Sequence, residues 1–312
     1  MEQTVLKRDR ADWYFLGVIV FHVVLVLVVS FTPFTRIIPW NMATNGILSG
    51  STIWILALIY FVVTRQNPIK FCRFRRIRPA TIFMTVLYTM LCGPLTTVAN
   101  ALSMLFVENT VLSISGSVLQ MPDVVMFLII GVTGPLIEEF GFRGVIYQGF
   151  RSRGNVWKAI LLSALLFALM HMNINQAAYA FVIGIMLALL MEATDSIWPS
   201  FIMHMSINGF NVALMYLMNA MPESAMEMAA SEAALATEDL LLVISVYLVL
   251  AVICTPFALC VLAWIAGHEN RKDALAEVLP NRKSSHSKLL TIPLFVGIVI
   301  CVGMMIIDLL QL

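Results

Sequence analysis

Residues 131–150 read GVTGPLIEEFGFRGVIYQGF, a stretch that decides the fold because it places three ionisable side chains inside an apolar segment of membrane-spanning length. These side chains are the adjacent carboxylates of Glu138 and Glu139 and the guanidinium of Arg143. An ionisable group within a bilayer costs free energy, so such groups pair with one another or face a polar cavity. The stretch therefore predicts a membrane helix that contributes to a buried polar site.

The composition of the whole chain agrees with a membrane protein. The 312 residues are 60% hydrophobic and only 12% charged, and the mean hydropathy is +0.91. Those values exclude a soluble globular domain and predict an all-α fold, a polytopic bundle of membrane helices. The five cysteines show no CxxC spacing, so they indicate neither a disulfide framework nor a metal cage.

Hydropathy predicts about nine spans, of which the fifth and sixth are short. They cover residues 13–31, 47–63, 80–107, 124–149, 159–172, 177–191, 198–219, 240–267 and 289–310. The chain has no internal repeat and is predicted to form a single membrane domain, residues 1–312. Its motif-bearing core, residues 124–219, is flanked by N-terminal spans over 13–107 and C-terminal spans over 240–310.

The distribution of basic residues predicts the orientation of these spans. With the N-terminus in the cytoplasm, seventeen of the nineteen Lys and Arg residues fall in cytoplasmic segments; Arg36 lies outside and Arg143 lies within the membrane. This partition follows the positive-inside rule. A single long helix over 159–191 would reverse the orientation of everything downstream, so two short helices are favoured there.

Two later segments carry polar groups at a depth that matches the glutamates. FALMH ends at His171, and HMSIN runs from His204 to Asn208. At 1.5 Å of rise per residue, Glu138 and His171 each lie roughly 18 Å from the cytoplasmic ends of their helices, and His204 and Asn208 lie roughly 9 and 15 Å in. The spacing therefore predicts that three helices direct their polar groups into one cavity.

The spacing within each helix indicates which groups pair. Glu139 and Arg143 are four residues apart with the acid first, the favourable order for a helical ion pair, so a structural pair is expected. Glu138 is rotated by about 100° from its neighbour and is free to face another helix. His204 and Asn208, also four apart, project from one face.

These residue types suit amide hydrolysis by activated water. A buried glutamate beside a histidine can deprotonate water, and a second histidine with an asparagine supplies donors for the oxyanion of a tetrahedral intermediate. The HExxH, GxSG and GxGD motifs of other intramembrane hydrolases are absent from the sequence, and Asp308 stands alone near the C-terminus.

Three motifs in this order resemble the CPBP family of intramembrane proteases. EEFGFR at 138–143 matches its EExxxR motif, FALMH at 167–171 its FxxxH motif, and HMSIN at 204–208 its HxxxN motif. The family includes CAAX prenyl endopeptidases and bacterial Abi-like proteins tied to bacteriocin processing and self-immunity. The resemblance covers roughly residues 124–219.

The resemblance implies a catalytic set of four residues. Glu138 and His171 would activate the water, while His204 and Asn208 would form the oxyanion site. Glu139 and Arg143, which complete the first motif, would be supporting residues. No metal is expected, although Glu138, His171 and His204 would hold zinc with an open position in the alternative mechanism.

The function implied is that of an integral-membrane endopeptidase. Its expected partners are the lipid bilayer and a membrane-associated protein or peptide, prenylated or carrying a leader, and not nucleic acid. The expected location is the bacterial cell membrane, with the site opening toward the cytoplasm. The alternatives are a non-proteolytic immunity or scaffold protein that retains the polar cluster, and a transporter with a proton-coupled carboxylate.

Overall fold

The computed structural model describes residues 10–153, 155–221, 237–276, 278 and 290–310. These residues form helices and connections without any strand, which confirms the predicted all-α fold. Ten helices have ten or more residues: α1 (Ala11–Phe31), α2 (Met42–Thr64), α3 (Pro79–Ser103), α4 (Thr110–Leu119), α5 (Asp123–Arg151), α6 (Val156–Met170), α7 (Ile174–Thr194), α8 (Ile197–Asn219), α9 (Thr237–His268) and α10 (Ile292–Leu310). Short helical segments occur at Phe34–Ile37, Pro68–Phe71 and Lys272–Ala276.

Eight of these helices are long and apolar enough to span a membrane, all except α4 and α6. Helix α6, with 15 residues, is short as expected. Helix α7 has 21 residues and is not the short segment expected over 177–191. The helix is three residues longer at each end, and at its start the Asn173 side chain accepts a hydrogen bond from the Gln176 backbone at 3.0 Å. Residues expected to break the helix therefore form its capped first turn.

Helix α4 lies between the predicted spans 80–107 and 124–149, where the sequence predicts a connection and no helix. It begins after Asn109, whose side chain accepts hydrogen bonds from the backbone of Val111 at 3.0 Å and Leu112 at 3.2 Å. The connections on either side of the predicted span 240–267 fall partly outside the described residues.

Charged and polar side chains of several connections meet at one end of the bundle, here called the basic end. Asp195, between α7 and α8, pairs with Arg73 at 3.5 Å and with Arg75, both from the α2–α3 connection. Asp12 of α1 contacts Arg153 at 3.4 Å and Thr291, just before α10, at 2.7 Å. The helices therefore alternate in direction, as the distribution of basic residues predicts.

Helix α5 is unusual because two stretches of wide π-type turns, Phe127–Thr133 and Phe140–Tyr147, flank the α-helical turns of Gly134–Glu139. Pro135 has no backbone N–H to donate, so a change of hydrogen-bond pattern just before it removes the conflict. Thr133 contributes by donating its hydroxyl to the Leu128 carbonyl at 2.8 Å. Wide turns of this kind are frequent at functional sites, and here they border both glutamates.

Small residues bring the site helices into close contact. A Cβ placed on Gly131 of α5 would lie 3.0 Å from the Gly209 Cα of α8, and one on Gly184 of α7 would lie 2.9 Å from the Ala164 Cα of α6. Backbones that approach this closely are typical of helix packing in membranes. The two contacts hold α5, α6, α7 and α8 at distances that their polar side chains can bridge.

Candidate active site

The centre of the site is Glu139, which bridges two helices. Its Oε1 accepts a hydrogen bond from Arg143 Nη1 at 2.9 Å and lies 2.9 Å from His204 Nδ1 on α8. All three side chains are buried, with exposed fractions of 0% for Glu139, 1% for Arg143 and 4% for His204. The expected Glu139–Arg143 ion pair is present, but the same oxygen also holds the imidazole.

This contact determines how His204 presents its second nitrogen. Because Glu139 is paired with Arg143, its oxygen acts as an acceptor and His204 Nδ1 is the donor. His204 Nε2 then faces Glu138, whose Oε2 lies 3.7 Å away. That separation is too long for a direct hydrogen bond. A reacting group could therefore contact both His204 Nε2 and Glu138 Oε2 from one side of the pair.

Glu138 differs from Glu139 in its environment. Its side chain is 23% exposed, whereas that of Glu139 is fully buried. The two carboxylates follow one another in sequence but point to different surroundings, as the helical rotation predicts. Glu138 is therefore the carboxylate that an entering molecule can reach.

His171 follows the last residue of α6, and its Nδ1 lies 2.9 Å from the Phe167 carbonyl oxygen. A donor at Nδ1 leaves Nε2 as the free acceptor. The imidazole interacts electrostatically with Glu138 and His204. The structure thus brings Glu138, His171 and His204 from three helices into one cluster.

The Phe167 ring packs against three side chains of this cluster. The Arg143 guanidinium carbon lies 4.2 Å from the centre of the Phe167 ring, a cation–π distance. The rings of His171 and His204 meet the same ring edge-on, with centroid separations of 5.1 and 5.7 Å. The aromatic residue of the second motif therefore orders one group from each of α5, α6 and α8.

Asn208 lies one turn beyond His204 on α8. Its carboxamide donates a hydrogen bond of 3.5 Å to the Ile130 carbonyl of α5. Ile130 lies in the first wide stretch of α5, and the bond directs the carboxamide toward the backbone there. Asn208 therefore lies beside the first wide stretch of α5.

Two groups on α7 reach the site without any sequence motif to mark them. The Gly184 carbonyl accepts a hydrogen bond of 3.5 Å from Arg143 Nη2, and Tyr179 interacts electrostatically with Glu138. A backbone carbonyl leaves no trace in the residue type. Tyr179 falls within an apolar run, where a tyrosine is unremarkable.

Two buried polar atoms of the cluster, Glu139 Oε2 and Arg143 Nε, have no hydrogen-bond partner among the described residues. Buried polar atoms are nearly always satisfied, so such atoms indicate strong polarity at a point where the surrounding helices are apolar.

In the alternative mechanism, Glu138, His171 and His204 would be the ligands of a zinc ion. Within the described part of the chain, no group of three or more His, Cys, Asp or Glu side chains is arranged to hold a metal ion. His204 also directs Nδ1 to Glu139 at 2.9 Å. A carboxylate on Nδ1 orients the imidazole in zinc sites and in metal-free sites alike.

A carboxylate, two imidazoles and an ion pair thus lie together inside a multi-pass helical bundle. Comparison with known families matches residues 120–210 to the type II CAAX prenyl endopeptidase Rce1-like family. The matched region contains all three motifs, which confirms the resemblance that they indicate.

One curated relative is the protein named "Putative membrane peptidase YdiL" of Bacillus subtilis (strain 168), which is 27% identical over 89 residues. The match covers 28% of this chain and 36% of that relative, so it spans much less than the relative's full length. No solved structure matches the chain. The two matches support a peptidase that is an integral, multi-pass membrane protein.

Proposed function

We propose that this protein is an intramembrane endopeptidase that hydrolyses a peptide bond in a membrane-associated protein or peptide precursor. The observation that carries the proposal is the position of His204, with one nitrogen on buried Glu139 and the other 3.7 Å from the more exposed Glu138. A structural ion pair between Glu139 and Arg143 does not need Glu138 near the imidazole. Acid–base catalysis does use a reachable carboxylate beside an imidazole.

Glu138 is the general base of the proposed reaction. It removes a proton from water as the water oxygen attacks the carbonyl carbon of the scissile bond. The tetrahedral intermediate then collapses when the proton passes from Glu138 to the leaving nitrogen, which breaks the C–N bond and gives one carboxylic acid and one amine. His171, with Nδ1 on a backbone carbonyl, orients the attacking water through Nε2.

His204 and Asn208 are the proposed donors to the oxyanion of that intermediate. Donation from His204 Nε2 requires an imidazolium, because Nδ1 already donates to Glu139. With neutral imidazoles, Glu138, Glu139 and Arg143 carry a summed formal charge of −1, so one proton held by His204 neutralises the cluster. A buried charge costs less free energy when opposite charges beside it balance it, so the negative cluster favours an imidazolium at His204.

The reaction is proposed to proceed without a metal. The active site is proposed to open toward the cytoplasm of a bacterial cell. The metal-free mechanism is supported by the distance of 3.7 Å between His204 Nε2 and Glu138 Oε2, because a carboxylate and an imidazole this close can transfer protons without a metal. The cytoplasmic orientation is supported by the basic end of the bundle, where exposed arginines such as Arg75 and Arg76 gather.

Reconstitution tests the proposal. The purified chain in liposomes is mixed with two sets of lipid-anchored peptides, one prenylated at a C-terminal cysteine and one carrying an unprenylated leader. Mass spectrometry is expected to find paired cleavage products in one set, each bond cut at a fixed position. Intact peptides in both sets, with a folded protein, would contradict the proposed function.

A chelator arm of the same experiment tests the metal-free mechanism. Incubation with 1,10-phenanthroline followed by dialysis is expected to leave the initial rate unchanged within about twofold, because general acid–base catalysis by Glu138 and the histidines needs no metal. A zinc protease of known sensitivity serves as the positive control. Loss of cleavage that added zinc restores would show that the histidines bind a metal.

A further inference from the structure

The position of His171 depends on a very short connection. His171 follows the last residue of α6, and Asn173 is already the residue that caps α7. Met172 between them has a φ of 52°, in the left-handed region that a non-glycine residue rarely adopts. Since only one residue, Met172, separates His171 from the cap, the start of α7 sets the direction in which His171 points.

Asn175 anchors this start, and it is fully buried, with an exposed fraction of 0%. Its Nδ2 donates to Asn100 Oδ1 at 2.9 Å and to Ser103 Oγ at 2.8 Å, both at the end of α3. Its Oδ1 accepts from the Thr110 backbone at 3.0 Å. Both N–H donors and the carbonyl of the carboxamide are therefore used, which fixes α7 against α3 and α4.

Asn173 is held in the same way from another side. Its Oδ1 accepts from the Gln176 backbone at 3.0 Å and from the Thr110 hydroxyl at 2.6 Å. Its Nδ2 donates to Asp308 Oδ2 of α10 at 2.9 Å. The last helix of the chain thus contacts the cap that lies two residues from His171.

We propose that Asn175 and Asp308 are positioning residues, which set the His171 imidazole relative to Glu138 through the α6–α7 connection. The inference rests on the proposed function, because it assigns a task within that reaction. Asn100, Ser103, Thr110 and Asp308 all lie outside residues 120–210, the region that matches the peptidase family. Helices α3, α4 and α10 therefore complete a site whose reactive groups they do not carry.

The test compares kcat and KM of variants in liposomes, on the peptide that the wild type cleaves. Asn175→Ala is expected to lower kcat by about tenfold to a hundredfold with KM within about twofold, because a displacement near 1 Å costs that much in the chemical step. Asp308→Ala is expected to lower kcat by a smaller factor. Asp308→Asn keeps an oxygen that accepts from Asn173, so it is expected to restore kcat.

Asn155→Ala is the matched control. Asn155 caps the other end of α6, where its side chain accepts from the Lys158 backbone at 2.8 Å. Its removal weakens the start of α6 by the loss of the N-cap hydrogen bond. The α6–α7 connection is not touched, so kcat is expected to match that of the wild type. A kcat as low as that of Asn175→Ala would indicate a loss of general stability and overturn the inference.

Two outcomes separate this inference from the function on which it rests. An active wild type with unchanged kcat in Asn175→Ala and Asp308→Ala would overturn the positioning role alone. An inactive wild type would contradict the proposed function, and this inference with it. Asp308 is exposed near the end of α10, so its variants keep the test decisive if Asn175→Ala does not fold.

Discussion

Replacing Glu138 with glutamine is expected to lower the rate of peptide cleavage by about a thousandfold, the middle of the range for loss of a general base. Glutamine has nearly the same shape and keeps a carbonyl oxygen near His204 Nε2, 3.7 Å from the present carboxylate oxygen. It cannot accept the proton of the attacking water, so only the chemical step is lost. The measurement is the initial rate of product formation in liposomes, with the wild type and the variant at equal amounts of folded protein.

Glu238→Gln is the control for this change. Glu238 lies exposed in the first turn of α9, and the same substitution there is expected to leave the rate unchanged. A Glu138→Gln protein that cleaves as fast as the Glu238→Gln protein would remove Glu138 from the mechanism. The motif would then have a purely structural role, as a scaffold or immunity protein requires.

Replacing Glu139 with glutamine is expected to destabilise the fold by about 3–5 kcal/mol, the usual cost when one partner of a buried ion pair is removed. The change leaves Arg143, with 1% of its surface exposed, without its counter-charge. It also removes the charged acceptor of His204 Nδ1. Thermal unfolding in detergent, followed by circular dichroism, measures the loss as a lower Tm.

Two variants show whether burial is the cause. Asp195→Asn removes the counter-charge of Arg73 and Arg75, whose side chains are 46% and 63% exposed. Because exposed pairs contribute about 0–1 kcal/mol, its Tm is expected to stay close to that of the wild type. The double variant Glu139→Gln/Arg143→Met buries no unpaired charge, so it is expected to recover part of the lost stability. Equal Tm values for Glu139→Gln and the wild type would contradict this account.

The sequence predicts those parts of the fold that depend on local properties. Membrane-spanning length is a property of one apolar run, and seven of the eight helices that are long enough to span were expected at that length; α7 was expected to be shorter. The Glu139–Arg143 pair follows from i, i+4 geometry within one helix. The alternation of helix direction follows from where the basic residues stand, and the Asp195 contacts at the basic end agree with it.

The parts that were missed depend on contacts between distant residues. Helix α7 starts at Ile174 because Asn173 and Asn175 find partners on α3, α4 and α10, and hydropathy cannot reveal these partners. Helix α4 is not among the predicted spans, although Asn109 before Thr110 is an N-cap signal that indicates the start of a helix there. The wide turns of α5 have no residue pattern of their own.

The second contact of Glu139 shows the same limit within the site. Whether His204 meets Glu138, Glu139 or both depends on the rotation of α8 against α5, which the Gly131–Gly209 contact fixes. No spacing within either helix contains that information. The supporting residue of the first motif therefore acquires a specific task only in three dimensions: it holds the imidazole and determines which nitrogen is free.

The most direct test of the central claim, that Glu138 and His204 act together on one water and one carbonyl, is a double-mutant cycle of cleavage rates. Glu138→Gln, His204→Ala and the double variant are measured beside the wild type in liposomes, with folding checked by thermal unfolding. If the two residues act as a unit, the double variant cleaves about as slowly as the slower single variant, since members of one catalytic unit are not additive. Losses that multiply, so that the double variant is slower by the product of the two single factors, would show independent roles and contradict the account.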